Sequence, residues 1–142
     1  MKILQLSKKF PYPLKDGEAI AVTYLARAFA DLGSEVTLLS MNTSKHWFDM
    51  GELPHDFDHY TAIHTAYVDN RIRPLPALRN LFSQKSYHIE RFEEEAFAQQ
   101  LQLLLQQEHF DVVQLESVYL APYISIIRQY SSASVVLRAH NV

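Results

Sequence analysis

Short runs of mostly apolar residues alternate along the chain with stretches in which apolar residues recur every three or four positions. Ile3 to Ser7 is the first such run, and Glu35 to Ser40, Ala62 to Val68, Asp111 to Leu115 and Ser134 to Leu137 follow it. Runs of this length read as strands, and the Asp111–Leu115 run, continuous but for Gln114, reads as a buried one. Ala19, Ile20, Val22, Thr23, Leu25, Ala26, Ala28, Phe29 and Leu32 have the spacing of a helix that packs one face inward. Gly33 is placed to end that helix, because a positive φ costs least at glycine. Tyr87 to Glu108 is the clearest helical stretch, with a stripe of Ile89, Phe92, Ala96, Phe97, Leu101, Leu104 and Leu105. Ser117 to Tyr130 is a second, shorter helical region. Asn42 to Tyr60 is polar and turn-rich, and Asp69 to Ser86 is irregular; neither predicts a regular element.

A strand, a loop, a helix, a glycine and a second strand make a βαβ crossover, which implies parallel strands and a right-handed connection. The whole alternation predicts an α/β, Rossmann-like doubly wound parallel sheet. Its last strand runs into Arg138, His140 and Asn141 without a covering helix, so the sheet is expected to be incomplete at its C-terminal edge. The chain then reads as one partial domain over residues 1–142.

Composition narrows the function classes. The chain has 142 residues, 48% of them hydrophobic, enough for a core. A net charge of −3 gives no support for a nucleic-acid partner, which would need a basic face. There is no cysteine, so disulfides and thiolate metal sites are excluded. The first residues do not have the layout of a signal peptide, since Lys8 and Lys9 follow the apolar run. No stretch approaches the roughly 18 apolar residues of a membrane span. The lack of cysteine leaves the redox compartment open, with a cytoplasmic location as the default expectation. With three glycines in the chain, each is expected to mark a backbone requirement.

Four stretches carry a resemblance. They are Lys2–Leu6 leading to Pro11-Tyr12-Pro13-Leu14-Lys15-Asp16-Gly17, the helix end Ala28–Gly33 with Glu35–Leu38, then Phe110–Glu116, and last Val136–Asn141. In this order and spacing they resemble the N-terminal Rossmann-like domain of GT-B glycosyltransferases of family 4. The resemblance implies the acceptor-side half of an enzyme that moves a sugar from a nucleotide-sugar donor to a glycan or lipid-linked acceptor. It further implies a retaining, metal-independent reaction, no cofactor, and a C-terminal donor-binding domain absent from this chain. It gives His140 the catalytic position at a strand end facing the cleft. Asp16 and Gly17 fall at the turn where backbone N–H groups approach donor or acceptor.

The residues themselves agree in part. A helix N-terminus after Gly17 offers unpaired N–H groups to an anion, although Glu18 stands where the family often has a second glycine. A simple turn capped by Asp16 is the plainer alternative. A histidine can hold a sugar hydroxyl or a developing charge near neutral pH. Glu116 ends the fourth strand beside the strand that ends in His140, so the two strand ends should face one crevice; Ser117 has the position of a helix cap. Arg138 can pair with an acid or a phosphate. Asn141 can bond a sugar hydroxyl or cap a helix.

Other features weigh less. His55, Asp56, Asp58 and His59 have spacings that can ligate metal, but they follow Pro54 in a polar loop, and no metal site is expected there. Asn70 to Lys85 interleaves Arg71, Arg73, Arg79 and Lys85 with leucines, a composition that can lie peripherally on the inner face of an anionic membrane. An unprotected edge at the fifth strand predicts self-association. The competing reading is a stand-alone, flavodoxin-like α/β interaction or regulatory domain without catalysis. A nicotinamide site is disfavoured because no Gly-x-Gly-x-x-Gly follows the first strand.

Overall fold

The structure, a computed structural model, describes residues 1–69 and 95–140. The chain order is β1 (Lys2–Ser7), α1 (Gly17–Asp31), β2 (Glu35–Thr43), a 3₁₀ turn (Met50–Glu52), β3 (Ala62–Val68), α2 (Glu95–Gln107), β4 (Val112–Leu115), a 3₁₀ turn (Val118–Tyr123), α3 (Ile124–Tyr130) and β5 (Ser134–Leu137). The five strands form one sheet in the order β3-β2-β1-β4-β5. Every neighbouring pair is parallel. This is a Rossmann-like doubly wound fold, with the chain reversing direction across the sheet between β1 and β4.

The alternation of side chains assigns the two faces. Leu4, Leu6, Leu39, Met41, Val113 and Leu115 point to one side, where they pack with Phe97, Leu101, Leu104 and Leu105 of α2 and Ile127 of α3. Val36 and Leu38 point to the other side and meet Ala26 of α1. Gln5 and Gln114 are partners in the β1–β4 register, and Gln114 is paired with Val136 of β5. The odd-numbered positions of β1 and the even-numbered positions of β4 and β5 therefore share the α1 face. That face turns polar where it passes from β1 to β4.

Helix α1 forms where the periodicity placed it and is fixed at both ends. Asp16 is the N-cap, its carboxylate accepting from the backbone N–H of Ala19 at 2.8 Å. Ala19, Val22, Thr23 and Ala26 are its buried stripe. At the other end Gly33 has φ +91°, and the N–H of Ser34 reaches back to the carbonyl of Phe29 at 3.0 Å, as a helix-terminating glycine requires. Gly33 alone among the glycines has a positive φ. A Cβ at Gly17 would meet nothing within 4 Å, so the expectation that every glycine marks a backbone need fails there.

Strand β2 runs to Thr43, three residues beyond the predicted end. Met41–Thr43 pair with Ala66–Val68. Asn42 is buried in this extension with both ends of its amide paired: Nδ2 donates to the carbonyl of Phe48 at 2.8 Å and Oδ1 accepts from the N–H of Phe48 at 3.0 Å. The turn-rich segment that follows is also better packed than its polarity predicts. Phe48 stacks on Phe10 with centroids 5.4 Å apart, and Phe57 sits edge-on to Tyr12 at 5.4 Å. The region from Ser117 to Tyr130 divides into a 3₁₀ turn and α3 at Pro122–Ile124, where proline removes a helical donor. The basic and apolar segment Asn70 to Lys85 lies outside the described residues, as do the first residues of the predicted Tyr87–Glu108 helix. Among the described residues no helix is long and apolar enough to cross a membrane.

Candidate functional site

In an open α/β sheet the carboxyl ends of the strands splay apart where the strand order reverses, and ligands sit in that crevice. Here the reversal lies between β1 and β4, and the chemistry-bearing residues gather there. Glu116, immediately after β4, has no exposed side-chain surface. A buried carboxylate must be matched by donors, and Glu116 has four. Its Oε1 accepts from Nε2 of Gln5 at 2.9 Å and from Nε2 of Gln114 at 2.8 Å. Its Oε2 lies 3.1 Å from Nη1 of Arg138 and 2.9 Å from Nε2 of His140. Behind it, the Tyr60 hydroxyl donates to Oε1 of Gln5 at 2.6 Å. Burial, and after it the charge of Glu116, raise the Tyr60 phenol well above its ordinary range, so it stays a donor.

The backbone explains the convergence. Glu116 N–H donates to the carbonyl of Leu6, and Arg138 N–H to that of Leu115, so the ladder continues past the strand ends. Alternation then keeps Gln114, Glu116, Arg138 and His140 on the α1 face. A carboxylate only accepts, so its bond to His140 places a hydrogen on Nε2. The His140 side chain is 14% exposed. It lines a cavity of about 440 Å³ together with Lys9, Asp16, Gly17 and Glu18.

The opposite wall of that cavity comes from the loop and helix after β1. Lys9 pairs with Asp16, and Lys8 lies 3.6 Å from Glu18. Burial alone would raise the Asp16 carboxyl, but the bonds from Lys9 and the Ala19 N–H outweigh it and hold it below the usual carboxylate range. The second oxygen of Glu18, Oε1, is buried without a hydrogen-bond partner. Asp16, Gly17 and His140 therefore share one cavity, and Glu116 and Arg138 stand behind His140. Ser117 accepts from the N–H of Tyr119 at 3.1 Å and caps the 3₁₀ turn. Asn141 lies outside the described residues. Among the described residues no three His, Asp or Glu side chains converge in a way that could hold a metal ion.

Sequence reasoning missed Gln5 and Tyr60 as supports of the site. A glutamine inside an otherwise apolar first strand is the signal that was available, since it must be paired once buried. Tyr60 carried no such signal; it reaches Gln5 only because the loop before β3 folds over the α1 face.

No protein-family model matches the chain, and no curated protein matches it. Among solved structures it is similar to the C-terminal domain (residues 78–226) of the PF1911 hydrogenase from Pyrococcus furiosus. The TM-score is 0.57 at 15% identity, over 96% of this chain and 89% of that one. A likeness at this identity shows the fold alone. It overturns the resemblance to the N-terminal domain of family 4 GT-B glycosyltransferases, because the neighbour is a hydrogenase domain and no family match supports the assignment. The physical reason is that the four stretches are generic. A first strand, a capped helix closed by Gly33, and later strands with polar ends are what any parallel sheet of this order needs.

Proposed function

We propose that this domain binds a hydroxyl-bearing substrate of the sugar class at the carboxyl end of its sheet. His140 then takes the proton of the hydroxyl that attacks a glycosyl donor. The reaction read here is transfer of a sugar from a nucleotide sugar to a glycan or lipid-linked acceptor, with this domain on the acceptor side and in the cytoplasm. The observation that carries the reading is the pairing of His140 with the buried Glu116.

That pairing is the arrangement a general base requires. Glu116 holds Nε2–H, so Nδ1 accepts the hydroxyl proton while the oxygen forms its bond to the anomeric carbon. The leaving nucleotide carries away the electron pair of the bond that breaks. Glu116 balances the imidazolium that results, and Gln5, Gln114 and Arg138 hold the carboxylate still. The step asks for no metal or cofactor. The charges across the cavity also favour a neutral substrate over a phosphate, since Lys9 is matched by Asp16 and Lys8 by Glu18.

A second reading, a flavodoxin-like interaction domain without catalysis, is favoured by one observation. Val136 and Leu137 of β5 are 41% and 43% exposed, leaving apolar side chains on both faces of an edge strand. One experiment separates the two. The His140 imidazole nitrogens are followed by NMR while gluco-, galacto- and manno-configured monosaccharides are added to the 142-residue chain. The substrate reading expects a saturable shift at His140 that Glu116→Gln abolishes. No shift with any sugar overturns it and leaves the interaction domain.

A further inference from the structure

The cavity at His140 does not end at Asp16. Lys9 and Asp16 also form one wall of a second pocket, of about 190 Å³, whose other walls include Tyr12, His46 and Trp47. The two spaces therefore meet at one ion pair. The first is polar, while the second is walled by aromatic rings. Trp47 is 59% exposed and touches Tyr67, itself 55% exposed, edge-on at 5.8 Å. A half-exposed tryptophan on the wall of a pocket is an amphipathic contact surface.

We infer that Trp47 is the platform of a second sugar subsite, so that the substrate is an oligosaccharide with one ring at His140 and the next against Trp47. This rests on the sugar-class reading of the His140 cavity. A pyranose has an apolar C–H face that lies against an aromatic ring and an equatorial belt of hydroxyls that need donors and acceptors together. The pocket offers both. Lys9 donates and Asp16 accepts, and His46 can do either as a neutral ring. Burial first, then the charge of Lys9, hold His46 below its ordinary range.

The same groups disfavour a nucleoside phosphate. Lys9 is neutralised by Asp16. Asp16 also caps α1, so the position where an anion would meet that helix end is filled by the protein's own carboxylate. Lys15 also lines this pocket, so a nucleoside phosphate is tested beside the sugars.

Trp47 is the single tryptophan of the chain, so its fluorescence reports on this pocket without a label. The test titrates the 142-residue chain with gluco-, galacto- and manno-configured monosaccharides, with the corresponding trisaccharides, and with uridine monophosphate, reading Trp47 fluorescence and the His140 nitrogens together. A trisaccharide is expected to move both signals and to bind at least about tenfold more tightly than its monosaccharide. By calorimetry, Trp47→Ala is expected to remove that gain. If sugars shift His140 but trisaccharides gain nothing and leave Trp47 unmoved, the subsite is wrong while the sugar reading stands. If uridine monophosphate moves Trp47 and no sugar does, the subsite is wrong in chemistry. If nothing moves either signal, both readings fall.

Discussion

Oε2 of Glu116 and Nε2 of His140 lie 2.9 Å apart although 24 residues separate them, and Glu116 is fully buried while His140 borders a cavity. The pair joins the ends of β4 and β5. It is backed by a chain of bonds that runs through Gln5 to Tyr60.

Glu116→Gln tests how much of the site depends on that carboxylate. An amide has one acceptor oxygen and two donor hydrogens, so some of the four present donors would face another donor. Arg138, 32% exposed, can turn to water, whereas Gln5 and Gln114 cannot. The expected loss is about 3 kcal/mol of unfolding free energy, read by urea denaturation. Tyr60→Phe should cost about 1 kcal/mol and combine non-additively with it, because the two residues share Gln5. Additive losses would show that the relay is only a row of separate bonds.

Much of this architecture was legible in the chain. β3 and β5 form over the predicted residues because short apolar runs between turn signals leave little choice of element. Glu116 and His140 were placed at neighbouring strand ends for the same reason. The polar segment Asn42 to Tyr60 was not legible. Phe48, Phe57 and Tyr60 are ordered by contacts with Phe10 and Gln5 far away in sequence, and no local period records such contacts. The glycosyltransferase resemblance failed for the opposite reason, because it rested on stretches that the sheet itself demands.

The two helix-end glycines should respond in opposite directions to alanine. Gly17 opens α1 with an ordinary φ and open space at its Cβ position. Gly17→Ala reduces the freedom of the unfolded chain and should stabilise by about 0.5 kcal/mol. Gly33 holds φ +91°, where a side chain is strained, and Gly33→Ala should destabilise by about 1 kcal/mol. Thermal melts of the two variants decide it. A Gly17→Ala variant that folds normally but loses sugar binding would show that backbone approach at this turn matters for the ligand.

His59 predicts an acid-dependent loss of stability. Its ring lies between Phe57 and Tyr60, with centroids at 4.7 and 4.3 Å, and both ring nitrogens are buried without partners. Burial, and secondarily the charge of Arg27, push its pKa from 6.5 down to about 4. Between these values the unfolded chain binds the proton and the folded one does not. The stabilisation is therefore complete above pH 6.5 and is lost as the pH falls through that window to about 4. Unfolding free energies measured at steps from pH 7 to pH 4 should decline, and His59→Phe should flatten that decline. An unchanged slope in the variant would assign the effect to other groups.

The edge of the sheet leads to a prediction about association. Within the described residues β5 pairs with β4 alone. Its sequence, Ser134-Val135-Val136-Leu137, contains none of the lysines, prolines or bulges that keep edge strands apart. Val136 and Leu137 are exposed there, so a second copy can add both backbone bonds and apolar contact. Light scattering over a hundredfold dilution should show mass falling toward the monomer, and Val136→Lys should shift the midpoint to higher concentration, since a charge must be desolvated when the edges meet. A constant monomer mass at every concentration would mean that the edge is protected in solution. A constant dimer insensitive to Val136→Lys would place the contact on another surface.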